Sequence, residues 1–144
     1  MIEEGTSVNH GAKAYRRLNV SSMVDSANPQ QLIQMMLDGA LARLKRARGC
    51  IEHGDIPGRT EGIDGALAIL SALQGCLDHD KGGALAENLD ALYDYMQRRL
   101  YRAQVDNDGA IVDEVVDLLR TLTEAWEAIE PTTSTEPVRP VTTA

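Results

Sequence analysis

The run Lys81-Gly82-Gly83-Ala84-Leu85-Ala86-Glu87-Asn88-Leu89-Asp90-Ala91-Leu92-Tyr93-Asp94-Tyr95-Met96-Gln97-Arg98-Arg99-Leu100 decides how this chain folds. Its paired glycines interrupt whatever precedes them. After them Leu85, Leu89, Leu92, Met96 and Leu100, continued by Ala103, recur at steps of four and three, which is one stripe of an α-helix. The stripe stops around Asp106-Asn107-Asp108-Gly109, a cluster of turn-forming residues. Helix propensity accounts for the stripe but not for the tyrosines and arginines set into it, since Lys, Glu or Ala would serve a helix equally well there.

Three more helices are expected around this one. The first begins at Asn28-Pro29, an N-cap residue followed by proline at the first helical position. It carries Ile33, Leu37, Ala40, Leu44, Ala47 and Ile51, and ends at Gly54. The second places Ile63, Ala66, Leu67, Leu70, Leu73 and Leu77 inward, and the turn Asp80-Lys81-Gly82-Gly83 closes it. The fourth carries Ile111, Val115, Leu118, Leu122, Ala125 and Ile129. The expected spans are about 29–53, 57–78, 83–106 and 109–130. Helices of this length joined by short turns run antiparallel to their sequence neighbours. The fold class is therefore all-α, an antiparallel four-helix bundle, with residues 14–27 as an N-terminal arm or a short extra helix. Residues 1–13 and the Thr- and Pro-rich tail 131–144 lack periodicity and are expected to be disordered.

Composition agrees with a single helical domain. In 144 residues, 43% are hydrophobic, and the chain has no Phe, four Tyr and one Trp. Its core must be aliphatic, which suits helices better than sheets. A net charge of −8 argues against nucleic acid as a partner. Acidic residues gather between Asp106 and Glu130, and Arg43, Lys45, Arg46 and Arg48 in the first helix. Two solvated faces of opposite sign explain this, with steering of a partner as the second reading. No apolar run approaches the length of a membrane span and none follows a basic N-terminus. A cytosolic protein with reduced cysteines and no membrane insertion is the expectation.

The fourth helix has more apolar surface than a small bundle needs. Beside the Ile111–Ile129 stripe lies a second one, Val112, Val116, Leu119 and Trp126. The first helix is similarly broad where Leu32, Ile33, Met35, Met36 and Leu37 lie nearly contiguous. Two readings stand: a terminal arm covers the surplus, or the surplus forms a groove for an amphipathic partner helix.

Catalytic chemistry is hard to find. Cys50-x-x-His53 and Cys76-x-x-His79 together hold the ligand types of a structural zinc site. They fall at the ends of successive antiparallel helices, ~30 Å apart, too far for one metal or for a disulfide. No histidine has Glu three positions before it, as a di-iron bundle requires, and no nucleophile elbow, P-loop or dinucleotide motif is present. Asp94 has no histidine partner to make it a general base. No enzymatic activity, metal or cofactor is expected.

The Lys81–Leu100 run closely resembles the signature of the FliS family of flagellar secretion chaperones: Lys-Gly-Gly, then Asn88-Leu89, then Leu92-Tyr93-Asp94-Tyr95-Met96, then Arg98-Arg99-Leu100. Ala14-Tyr15 and Asn28-Pro29, followed by Leu32-Ile33, Asp38-Gly39-Ala40 and Gly54-Asp55, match in the same order, so the resemblance runs from about Ala14 to Pro131. It implies a cytosolic helical chaperone that binds the C-terminal segment of flagellin, blocks premature polymerisation and delivers its client to FlhA, the membrane protein of the flagellar export gate. A generic helix-bundle adaptor or anti-assembly factor for another helical client is the alternative. Asp38, Asn88, Leu92, Tyr93, Tyr95, Arg98 and Arg99 are the client-framing positions the resemblance suggests. The apolar stripes add Ile33, Leu37, Val112, Val116 and Leu119, and Tyr15 is the arm or export-gate candidate. Leu37 stands where the family commonly has an aromatic, and Ala12 where it often has a larger aliphatic. For the tyrosines and arginines a scaffold role is the competing reading: rings packed on the bundle, and Arg98, Arg99 and Arg102 paired with the acidic fourth helix.

Overall fold

The computed structural model describes residues 28–129, which form four helices. The expectations for residues 1–13, 14–27 and 131–144, Tyr15 included, lie outside the described residues. Helix α1 is Pro29–Glu52. Asn28 caps it reciprocally: its side chain accepts from the Gln31 backbone N–H at 2.8 Å, while the Gln31 side chain accepts from the Asn28 N–H at 3.1 Å. Two of the orphan donors at the helix start are thereby satisfied.

Helix α2 is Ile56–Gly75, capped by Asp55, whose carboxylate accepts from the Gly58 N–H at 2.9 Å. It ends three residues before the expected Asp78. The reason is Asp78 itself, which accepts from the Lys81 N–H at 3.0 Å and so begins helix α3, His79–Asp106. The link between α2 and α3 is therefore Cys76–Asp78 and not the Lys-Gly-Gly segment. The glycines act differently: α3 is kinked at Gly83, whose φ of 52° and ψ of −128° are closed to L side chains. Nothing lies within 4 Å of where a Cβ would stand, so the constraint there is purely conformational.

Asn107 ends α3 in the left-handed conformation, returning its N–H to the Ala103 carbonyl. Asp108 caps helix α4, Gly109–Ala128, by accepting from the Ala110 N–H at 2.9 Å. The helices pack as a ring in which each touches its sequence neighbours and α4 returns to α1, while diagonal pairs barely meet. The ring encloses an aliphatic core that includes Met36, Leu44, Ile63, Leu70, Met96, Leu100 and Val115.

The inward seam of α4 corrects the sequence reading. Val112, Val116 and Leu119, expected on a surplus face and offered as client contacts, are core residues; Val112 and Leu119 have no exposure at all. Leu118 and Leu122, expected inward, are half-buried, and Ala125 and Ile129 are exposed. Ile111 and Val115, expected inward, are buried, so both stripes face the core over the first half of the helix. Beyond it the inward line runs through Leu119, Thr123 and the partly buried Trp126. Thr123 concealed it: the residue is buried, its hydroxyl donating to the Leu119 carbonyl at 2.8 Å, so a polar side chain occupies an inward position without an unmet hydrogen bond.

The poles are settled by topology. Cys50 and His53 lie at the end of α1, and Cys76 and His79 at the end of α2 and start of α3, so the length of α2, ~30 Å, separates the pairs. Among the described residues no three His, Cys, Asp or Glu side chains gather into a metal site, and no helix is long and apolar enough to cross a membrane.

Candidate binding groove

At one pole the start of α1, the end of α2, the start of α3 and the end of α4 come together. A groove of about 370 Å³ opens among them, lined by Leu32 and Ile33 of α1, Leu73 of α2, Leu77 of the link, Leu85 and Leu89 of α3, and Leu122 and Trp126 of α4. Leu37 and Tyr93 also line it but are almost fully buried. Asp78 and Lys81 are its charged members, and the Asp78 carboxylate is already engaged in capping α3. Leu85 on the rim is 66% exposed, a large apolar side chain left in water. Surfaces with this many aliphatic side chains and so few polar groups suit the apolar face of a helix better than a polar small molecule, which needs convergent hydrogen bonds to fix it.

The polar ties around the ring explain where the groove opens. At this pole α1 and α4 are joined by the Trp126 indole donating to the Gln30 carbonyl at 3.1 Å and the Gln30 amide donating to the Ile129 carbonyl at 2.8 Å. Helices α2 and α3 are joined by the Gln74 amide donating to Asp90 at 2.8 Å and the Gln97 amide donating to Gln74 at 2.9 Å. Between α3 and α4, among the described residues, every side-chain hydrogen bond and ion pair ends on Glu114: the Tyr95 hydroxyl donates to it at 2.5 Å and the Arg99 Nε at 2.9 Å. Glu114 sits in the first half of α4, away from the groove.

Tyr95, Glu114 and Arg99 thus form a clasp between α3 and α4, and its members shift one another's titrations. The Tyr95 hydroxyl, and after it the Arg99 guanidinium, hold the Glu114 carboxyl below its ordinary value. The same bond to Glu114 raises the Tyr95 phenol and the Arg99 guanidinium. Burial pushes Tyr93 up to about 12 and raises the Cys76 thiol, which also lines the groove.

The candidates from sequence therefore separate. Ile33, Leu37 and Tyr93 reach the groove. Asp38 is exposed and accepts from Gln34 at 3.2 Å; Asn88 is exposed, and Leu92 is half-buried against the core without lining the groove. Arg98 pairs with Asp94 and Arg102 with Asp106, each one turn along α3, so only Arg99 reaches the acidic fourth helix. Sequence reasoning overlooked Leu85, Leu89 and Leu122 as groove walls because it assigned them to the core, whereas it placed Trp126 on the surplus face that could form a groove. It overlooked Glu114 as well, although Tyr95 and Arg99, one helical turn apart, signal a shared partner on the facing helix.

Comparison with known proteins identifies the family. The profile of the family described as "Flagellar protein FliS" matches residues 11–133. The chain belongs to the FliS family. It is 45% identical over 125 residues to the flagellar secretion chaperone FliS of Salmonella typhimurium, covering 86% of this chain and 93% of that one. It is 41% identical over 117 residues to the flagellar secretion chaperone FliSB of Pseudomonas aeruginosa, covering 81% and 93%. With the flagellar secretion chaperone FliS of Vibrio cholerae the identity is 35% over 119 residues, covering 83% and 88%. The FliS match extends beyond the described bundle at both ends, so Tyr15 falls within the matched part.

Proposed function

We propose that this chain is a cytosolic, non-enzymatic export chaperone that binds the C-terminal segment of flagellin, prevents its premature polymerisation and delivers it to the export gate protein FlhA. Membership of the FliS family supports the chaperone role. The observation that carries client binding is the apolar groove at the pole where all four helices converge, with Leu85 and Leu122 still partly in water. Exposed aliphatic surface of this kind costs solubility unless something covers it. A client helix laid into the groove would cover it with its own apolar face, and a client kept in that state cannot polymerise through the same face.

Ile33, Leu37 and Tyr93 are the sequence candidates assigned to client contact, joined by Leu85, Leu89, Leu122 and Trp126. Tyr15 is assigned to the arm and the export gate, as the FliS resemblance implies. Calorimetry with a peptide of the flagellin C-terminal segment tests the proposal. Folding of the peptide on the groove should bury ~1,000–3,000 Å² and give a negative heat-capacity change. No heat, and no helicity gained by the peptide at micromolar concentration, would overturn it.

A further inference from the structure

We infer that Tyr95, Glu114 and Arg99 are positioning residues that hold the α3–α4 side of the groove open without touching the client. The inference rests on the groove being the client site.

Along α3, Tyr95 and the groove residue Leu85 are ten residues apart, ~15 Å. Along α4, Glu114 and Leu122 are eight apart, ~12 Å. On α4 the clasp therefore stands more than two helical turns below Leu122; on α3 it is nearer, since the buried groove residue Tyr93 is only two positions from Tyr95. Below it, α3 and α4 are joined by the short Asn107–Asp108 link; above it, no side-chain hydrogen bond or ion pair among the described residues crosses between them. The two helices are thus fixed at their lower ends and free of polar ties at the groove.

Leu92, Leu118 and Leu122 lie partly exposed above the clasp. Only Leu122 of the three lines the groove, and all three pack in part against the core. Burying the apolar surface they still expose nevertheless favours drawing the upper parts of α3 and α4 together. A single carboxylate that accepts from two α3 side chains sets one spacing between the helices and opposes that closure. An exposed pair of this kind contributes little to stability, so its effect falls on shape more than on folding.

Cys76 gives a readout that needs no client. It lines the groove, is partly exposed and sits at the pole opposite Cys50, which serves as an internal reference in the same molecule. Alkylation of each thiol is followed by mass spectrometry in the full chain without peptide. Binding of the flagellin peptide is then measured for the wild type, Glu114→Ala, Glu114→Gln, Tyr95→Phe and Leu122→Asp. If the open fraction falls to about one in ten, Glu114→Ala slows Cys76 relative to Cys50 and weakens the peptide by ~tenfold each. Glu114→Gln still accepts from Arg99 and donates to the tyrosine oxygen, so both readings stay within ~twofold of wild type. Tyr95→Phe falls between them and carries the comparison if Glu114→Ala does not fold. A Cys76 rate unchanged in Glu114→Ala, or in Tyr95→Phe when only that variant folds, overturns the inference, whatever happens to the peptide. Weakened peptide binding with that rate unchanged would make the clasp a direct client contact. Wild type and Leu122→Asp binding the peptide alike would instead overturn the groove as the client site, a separate failure.

Discussion

Helices α1 and α2 meet in one way and helices α3 and α4 in another. A Cβ on Gly62 of α2 would stand 2.8 Å from the Arg43 carbonyl oxygen and 2.9 Å from the Ala47 Cβ of α1, so those backbones touch wherever glycine permits. Nothing comparable closes α3 on α4, where one glutamate meets two side chains at mid-height and leucines stay partly wet towards the pole. The first hairpin is a finished piece of core. Among the described residues, the second is a frame with one side unfilled. Stability and binding are thereby divided between two halves of the same ring, and variants should separate them.

The largest effect belongs to the closed hairpin. Gly62→Leu forces a side chain against backbone that cannot step aside, and should lower stability by about 3 kcal/mol in urea unfolding. A loss under about 1 kcal/mol would show that α1 and α2 separate easily, and the contrast would fail. In the open hairpin, Leu122→Asp puts a charge on the groove wall at a half-buried position. It should weaken the flagellin peptide by at least ~30-fold, the level of an interface hot spot. Its unfolding free energy should fall by only about 1 kcal/mol, in the ordinary range for a partly buried site. An equal loss of binding in Gly62→Leu molecules that remain folded would mean that the two functions are not divided.

How far the sequence could be read follows the same division. Asn28, Pro29 and Gln31 begin α1 through local hydrogen bonds, and local signals of that sort are legible in one dimension. Four helices, their order and their antiparallel course were legible from stripes and turns. The end of α2 was not, because Asp78 competes for the next helix start four residues before the glycines that seemed to mark it. Nor was the seam of α4. An apolar count favours Leu118 and Leu122, whereas packing chose the line through Thr123, whose hydroxyl is satisfied within its own helix. The groove walls were misassigned for that reason: a leucine at helical spacing reads as core whether a neighbour covers it or not.

A smaller effect sharpens the α4 seam. Thr123→Val keeps the branched shape and removes a hydroxyl that bonds only to a carbonyl of its own helix. Stability should rise by about 0.5 kcal/mol, since an apolar group of similar shape suits the site and no partner is left without a bond. Thermal unfolding checks it. A fall beyond about 1 kcal/mol would mean that the hydroxyl does more than satisfy itself.

The smallest effect is the pH dependence of the clasp, and its sign follows from the hydrogen bonds. The Glu114 carboxyl is depressed in the folded state, first by the Tyr95 hydroxyl and then by Arg99. Its contribution to stability is fully present above the ordinary glutamate value of ~4.3 and is lost as pH falls through the lower folded value. The Tyr95 phenol is raised, first by the same bond, so its contribution is present below the ordinary tyrosine value of ~10 and lost as pH rises through the higher folded value. One bond thus defines a plateau from ~4.3 to ~10, with a decline on each side. Many other carboxylates titrate on the acid side, so the comparison needs a variant that differs at this group alone. Glu114→Gln keeps an acceptor for Arg99 and a partner for the tyrosine oxygen but has no proton to gain. The stability of the wild type minus that of Glu114→Gln, followed by urea unfolding from pH 3 to 8, should be level above ~4.3 and fall below it. Because Tyr95 and Glu114 lie at the surface, solvent and salt screen the pair, and the step should shrink further in high salt. A difference that rises on acidification would mean that Glu114 is destabilised as a carboxylate in the folded chain, and the spacing of α3 and α4 would then need another origin.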